Sequence, residues 1–365
     1  MALAAALVVG ACGSSDGGAE ADDPPPTTAT DRAPDDTEGA DEAAGDDVFP
    51  EEEWDTAEPA DLGLDPAPLA DLATYLGDNQ SSCMVVVKGG KVVAQEHWPM
   101  GPDDNAEVFS ASKSVTSTLV GIAQADGALS IDDPASDYIE EWKGTPSESV
   151  TIRNLVSNDS GRHYDFETDY TQMAIVEQDK TAFAIGLDQQ YEPGTHWDYN
   201  NSAIQTLERV LEVSTGEDME AFAQERLFEP IGMTSRIRRD GAGNPLAFMG
   251  VQAGCEDMAR FGYLFLRGGR WGDEQIVPSE WVTEATAAPS QDLNERYGFL
   301  WWRGFEGLPD DAYAALGLGN QIVLVLPSQD MVLVRIGNPP TGGAGVAAQG
   351  AMVGEMGAAA LAATG

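Results

Sequence analysis

The segments best suited to form strands sit at opposite ends of this 365-residue chain, and that separation constrains its fold more than any other feature. Near the start, Cys83-Met84-Val85-Val86-Val87 is a continuous apolar run and Gly89-Gly90 supplies a turn. Lys91-Val92-Val93-Ala94-Gln95-Glu96 then returns, which reads as a hairpin. Strand character comes back at Tyr297-Gly298-Phe299-Leu300-Trp301-Trp302 and over 321–326 and 331–336, the last two joined by the turn Pro327-Ser328-Gln329-Asp330. Residues 130–290 read as helices and loops between these ends. One sheet must then be assembled from distant segments, with helices packed on its faces. The expected class is α+β, with a sheet lobe of about 63–129 and 291–365 and a mostly helical lobe of about 130–290. The cleft between them is the natural pocket.

Helical periodicity places elements at 68–76, 110–126, 200–211, 218–227, 255–266 and 345–363. In the second of these, Val115, Leu119, Val120, Ile122 and Ala123 make an inward stripe that ends at Gly127.

The chain carries 62 Asp and Glu against 19 Lys and Arg, a formal charge of −43. That balance argues against nucleic-acid binding, which depends on basic side chains neutralising phosphates, and against broad attraction to anionic lipid. Residues 13–61 hold 18 acidic residues and a single basic one, Arg32, so 13–62 is expected to be a disordered acidic tether. The run MALAAALVVGAC at 1–12 is too short to cross a bilayer as a helix. Its end, Val9-Gly10-Ala11-Cys12, resembles the cleavage and lipidation box of bacterial lipoproteins. That resemblance implies a lipid anchor on Cys12, attachment to a membrane and a place in the bacterial cell envelope. Cys83 and Cys255 both sit in apolar surroundings and read as buried free thiols rather than a disulfide.

Ser110 and Lys113 are the sharpest candidates for chemistry. Three residues apart, they lie on one face of a helical turn, and a helix starting at Ser110 would put its hydroxyl beside unpaired N–H groups. A buried, neutral lysine can take the serine proton. An N-terminal cap followed by a solvated lysine is the other reading of that spacing. The second cluster is Tyr199-Asn200-Asn201, just after the turn Pro193-Gly194 and at the start of a helix. Tyr199 and Asn201 can both reach a cleft, one relaying a proton and the other offering donor and acceptor groups. A core tyrosine followed by an asparagine cap reads the same residues differently.

Together these stretches resemble the serine β-lactamase and penicillin-binding-protein superfamily, in particular its class C-like esterase and peptidase branch. Ser110-Ala111-Ser112-Lys113 matches its Ser-x-x-Lys motif and Tyr199-Asn200-Asn201 its Tyr-x-Asn motif. The segment 254–269, with Asp257, Ala259, Arg260, Phe261 and Gly262, looks like a family helix, and the resemblance spans roughly 65–360. It implies a β-lactamase/transpeptidase-like fold, with an antiparallel sheet flanked by helices in one domain over 63–365. It also implies a serine hydrolase with no cofactor and no metal, acting on a small ester, amide or short peptide. In that mechanism Ser110 is acylated, Lys113 and Tyr199 move protons, Asn201 orients Lys113, and the Ser110 N–H donates to the oxyanion.

The third family motif, a Lys or His followed by Thr, Ser or Gly and then Gly, is altered here to Ala315-Leu316-Gly317-Leu318-Gly319-Asn320-Gln321. The preferred frame places Leu318-Gly319-Asn320 over it and makes the Gln321 backbone the second oxyanion donor. The other frame uses Gly317-Leu318-Gly319. Neither supplies a cation, leaving Arg303 or Arg162 to replace it, and weak or absent β-lactamase activity is expected. Trp197, Trp301 and Trp302 are candidates for the pocket wall or for core, and His163 lies in a loop that could border the pocket. The acidic residues Asp165, Glu167 and Asp169 read as a solvated loop rather than a calcium site. A D-amino-acid peptidase, and a non-catalytic envelope binding module that keeps the fold, are the alternative functions.

Overall fold

The computed structural model describes residues 47–102, 104–286, 292–339 and 346–365. Cys12 and most of the acidic tether lie outside the described residues. A six-stranded antiparallel sheet has the order Lys91–His97, Ser81–Lys88, Met331–Gly337, Gln321–Leu326, Tyr313–Gly317 and Trp302–Arg303. The early hairpin thus pairs directly with the last strand, Val85 lying opposite Val334 and Val87 opposite Val332.

Side chains alternate across a strand, so the apolar runs feed two cores. Met84, Val86, Leu324, Leu326 and Leu333 pack with Leu69, Leu72 and Leu76 of the helix Pro66–Asp78 and with Met352 and Met356 of Val346–Thr364. Val85, Val323, Val325, Val332 and Val334 belong to the opposite core, covered by the helix Cys255–Leu266. A Cβ at Gly262 would fall 2.6 Å from Val332 and 2.8 Å from Val323, so only glycine lets this helix lie against the sheet. Each fully buried Val or Leu contributes about 1.5–3 kcal/mol, which is why these strands read as continuous apolar runs.

The helix Ser112–Ala125 is wedged between the sheet and the helical region, and every residue from Ser112 to Ala123 is buried. The expected inward stripe therefore widens to the whole circumference. Three of its hydroxyls pair with backbone of neighbouring segments. Ser112 accepts from the Val251 N–H (2.9 Å), Ser114 donates to Leu300 O (2.8 Å) and Thr116 donates to Ala247 O (2.7 Å).

Several expectations are corrected. The helix expected over 200–211 is two, Asn201–Gln205 and Leu207–Thr215, with Thr206 bonded back to Ala203 O at the break. The aromatic run 297–302 is mostly a tight loop, because Leu300 takes a left-handed φ of 60° and its N–H bonds Val156 O. Residues 47–62, assigned to the tether, lie along the body. Arg260 donates to the carbonyls of Glu51 and Glu52, Tyr263 donates to Val48 O, and Asp47 pairs with Arg267. Phe49 and Trp54 pack edge-on to Tyr263, so local aromatic and cationic partners outweigh the segment's self-repulsion.

Cys83 and Cys255 form a disulfide, with Cα atoms 6.1 Å apart, instead of remaining free thiols. Cys83 is on the sheet face that meets the first turn of Cys255–Leu266, a proximity created only by folding. The bond closes a loop across a sequence separation of 172 residues. Replacing both cysteines by alanine is expected to lower the unfolding free energy by about 2–5 kcal/mol, read from urea denaturation under non-reducing conditions.

Candidate functional site

Phe109 precedes Ser110 with a left-handed φ of 48°, and Phe109–Ala111 forms a 3-10 turn ahead of the helix at Ser112. The helix expected to begin at Ser110 therefore starts two residues later. A non-glycine residue with such a φ is strained, and here it aims the Ser110 hydroxyl out of the turn toward the helical region. The Lys113 Nζ lies 3.0 Å from Ser110 Oγ and donates to Phe248 O at 2.8 Å. It sits 4.8 Å from the centre of the Tyr199 ring. The Tyr199 phenol faces the Ser110 side chain, which favours its ionised form. The two clusters read from the sequence, 86 residues apart in number, thus converge on one hydroxyl.

Lys113 is 1 % exposed. Burial pushes its ammonium down to about 7, opposed by the charge of Asp169. Tyr199 is partly buried, and desolvation raises its phenol, with the Ser110 hydroxyl pulling the other way. Trp302 stacks on the Tyr199 ring at 5.7 Å, and Tyr297 meets it edge-on at 6.0 Å.

Asn201 does not bond Lys113. Its amide donates to Asp169 Oδ2 at 2.7 Å, and the same carboxylate accepts from the Asn201 and Ser202 N–H groups and from Ser202 Oγ. Asp169 is 1 % exposed, which corrects its reading as part of a solvated loop. Asp165 and Glu167 stay exposed, Asp165 against His163 Nε2 at 2.8 Å. Asp169 is absent from the sequence-derived site because nothing in its spacing predicts that it folds under the turn at 201.

The altered third motif lies at the other side of Ser110. The strand Tyr313–Gly317 meets the Ser110 turn at Gly317, where a Cβ would come 2.1 Å from Val108 O. Leu318 follows, exposed at the edge of the site. Gly319, common to both frames taken from the sequence, faces Gln321, Gly337 and Pro339. Gln321 pairs with Gly317 inside the hairpin, and its side chain bonds Leu318 O, Gly337 O and the Gly337 N–H. Gly319 and Asn320 are buried, with Asn320 Nδ2 on Met352 Sδ. Beneath this turn lies Arg335, another residue the sequence reading passed over. Its five donor bonds go to Ser81 Oγ and to the carbonyls of Gly319, Asn320, Asn79 and Asn338.

The remaining candidates divide. Trp302 and Trp197 border the site, Trp197 packing edge-on to Tyr297. Trp301 is fully buried against Phe261, Phe265 and Tyr313 and is core. Arg162 is buried over Trp142 and donates to Ser147 Oγ, Ala184 O and Ile185 O, so it is no substitute cation. Arg303 pairs with Tyr313, about 13 Å along the strand from Gly317. His163 is held by Asp165 and bonds none of Ser110, Lys113 or Tyr199 among the described residues.

Comparison with known proteins gives the same architecture. The Beta-lactamase family model matches residues 72–351, most of the chain. The protein belongs to the beta-lactamase family. As a family member it is a serine hydrolase of β-lactamase/transpeptidase-like fold. It is 24% identical over 305 residues to the 6-aminohexanoate-dimer hydrolase of Paenarthrobacter ureafaciens, covering 74% of this chain and 76% of the relative. A penicillin-binding-protein homologue from Caulobacter crescentus superposes with a TM-score of 0.66 at 16% identity, covering 86% and 98% of the two chains. A family VIII carboxylesterase superposes at 0.64 and 14% identity, covering 84% and 99%.

The lowered Lys113 value sets a pH dependence. Below about 7 the amine is protonated and cannot take the serine proton. Labelling of the protein by a fluorophosphonate is expected to speed up about tenfold per pH unit up to about 7 and then level off. Stopped-flow or gel-based labelling rates read this directly. The same displacement makes this group's contribution to folding stability rise with pH from about 7 to the ordinary lysine value of 10.5, because only the unfolded chain holds the proton there.

Proposed function

We propose that this family member hydrolyses a neutral ester or amide through an acyl-enzyme on Ser110. The observation that carries the reading is the contact of Ser110 Oγ with a buried Lys113 amine that also lies against the Tyr199 ring. Neutral Lys113 takes the Ser110 proton as Oγ bonds the substrate carbonyl carbon. The resulting oxyanion is met by the N–H groups of Ser110 and Leu318, each worth roughly 3 kcal/mol when so aimed. Leu318 takes this role in place of Gln321 because Gly317 brings it beside the serine turn. The proton on Lys113 passes through Tyr199 to the leaving oxygen or nitrogen as its bond to the carbonyl carbon breaks. Water then attacks the acyl carbon and gives its proton to the same pair, and Ser110 Oγ leaves with a proton restored.

Substrate charge follows from the missing cation. Ala315 and Leu316 are apolar and buried on the strand that meets the Ser110 turn, and Arg162 and Arg335 are spent on backbone carbonyls. A carboxylate-bearing substrate therefore lacks a partner worth about 2–5 kcal/mol, while Trp302 and Trp197 offer an apolar wall. The expected outcome is labelling by fluorophosphonate and turnover of a neutral nitrophenyl ester, both abolished in Ser110→Ala. The wild-type kcat/KM for that ester should exceed that for a carboxylate-bearing β-lactam by roughly 30-fold or more. Ester turnover surviving in Ser110→Ala refutes the assignment.

Export to the cell envelope is part of the proposal. A disulfide persists in an oxidising compartment, and the lipobox-like Val9-Gly10-Ala11-Cys12 supplies an anchor. Cys12→Ala is expected to move the protein from the membrane fraction to the soluble one. An unchanged distribution removes the anchor from the account.

A further inference from the structure

We infer that Gln205 is a positioning residue for the Lys113 amine, acting through the loop that presents the Phe248 carbonyl. The inference rests on the proposed role of Lys113 as the proton acceptor from Ser110.

Gln205 ends the short helix Asn201–Gln205 and is 0 % exposed. Its amide group grips the 245–248 loop twice. Nε2 donates to Pro245 O at 2.9 Å, and Oε1 accepts from the Ala247 N–H at 3.0 Å. Nε2 also donates to Thr181 Oγ1 at 2.9 Å, and that hydroxyl donates to Glu208 Oε2 at 2.8 Å. Thr116, from the helix that carries Lys113, donates to Ala247 O and holds the same loop from the other side. One residue further on, Phe248 O accepts from Lys113 Nζ at 2.8 Å.

The Phe248 carbonyl is the fixed dipole that orients this amine, since its other polar contact, Ser110 Oγ, is the group that reacts. A buried loop whose N–H and C=O groups are held by one side chain has few ways to shift while those bonds persist. Removing them lets the carbonyl drift, with two consequences. The amine loses its line toward Ser110 Oγ, which slows proton transfer. The ammonium also loses a dipole that favours it, which lowers the amine's pKa further. The other groups facing the amine are the Asp169 carboxylate and the Tyr199 and Phe248 rings, none of which Gln205 bonds.

The test compares Gln205→Met, which keeps length and removes every hydrogen bond, with wild type. Thr181→Val leaves Gln205 in place but takes away one of its anchors, and it carries the test alone if Gln205→Met does not fold. Ester kcat/KM is measured across pH, with rates expressed per active site titrated by fluorophosphonate and folding checked by thermal melting. The plateau rate per site is expected to fall about tenfold to a hundredfold in Gln205→Met, less in Thr181→Val. In both, the midpoint of the acidic limb should move to lower pH. A purely structural residue would lower the melting temperature or the titratable fraction and leave that midpoint in place. A folded variant with the wild-type midpoint therefore overturns the inference, whether or not its rate has dropped. Turnover surviving in Ser110→Ala would instead overturn the hydrolase reading beneath it, so the two failures are distinguishable.

Discussion

Enclosing the Lys113 amine in protein, with no carboxylate bonded to it among the described residues, is the act on which the rest of this architecture depends. Burying a cation costs several kcal/mol unless it sheds its proton or gains a partner. Here Asp169 is near enough to moderate the loss of charge but not to cancel it. The amine is therefore poised between protonation states near neutrality, which is what a residue must do to take a proton and give it back. That balance needs a dry, rigid surround. The strained Phe109, the sealed helix Ser112–Ala125 and the aromatic cover of Tyr199, Tyr297 and Trp302 provide it.

The hydroxyl-rich start of that helix has a physical explanation in the same surround. A helix buried on all sides must satisfy whatever polar groups its neighbours bring. Ser112, Ser114 and Thr116 meet the backbone of three loops near residues 251, 300 and 247. Apolar side chains of similar size would pack equally well but leave those backbone groups buried and unpaired. The serines and threonines are therefore the means by which distant loops are fastened around Ser110 and Lys113.

Charge is arranged on a different scale. The acidic surplus is spread over the surface, whereas inside the molecule the scarce cations are assigned to carbonyls. Arg335 locks the turn at Gly319 and Asn320, and Arg162 holds the carbonyls at the end of the helix Lys180–Gly186. Both are held by backbone carbonyls away from Ser110. The selectivity argued for neutral substrates is a consequence of where these arginines are spent.

How much of this was legible beforehand depended on the range of each interaction. The hairpin around Gly89-Gly90, the helix Cys255–Leu266 and the pairing of Ser110 with Lys113 rest on spacings of a few residues, and they emerge from the chain order with little error. Contacts that join remote segments did not. The Cys83–Cys255 bond, the docking of 47–62, the descent of Asp169 beneath Asn201 and the alignment of Gly317 with Val108 each depend on where whole elements come to rest. Local periodicity specifies which face of an element is apolar, and so the sequence by itself determined the layers and the contact of Ser110 with Lys113. Only the tertiary structure decided which backbone groups approach Ser110 and how deeply its amine is buried, because desolvation and close approach are properties of the packed whole rather than of any segment.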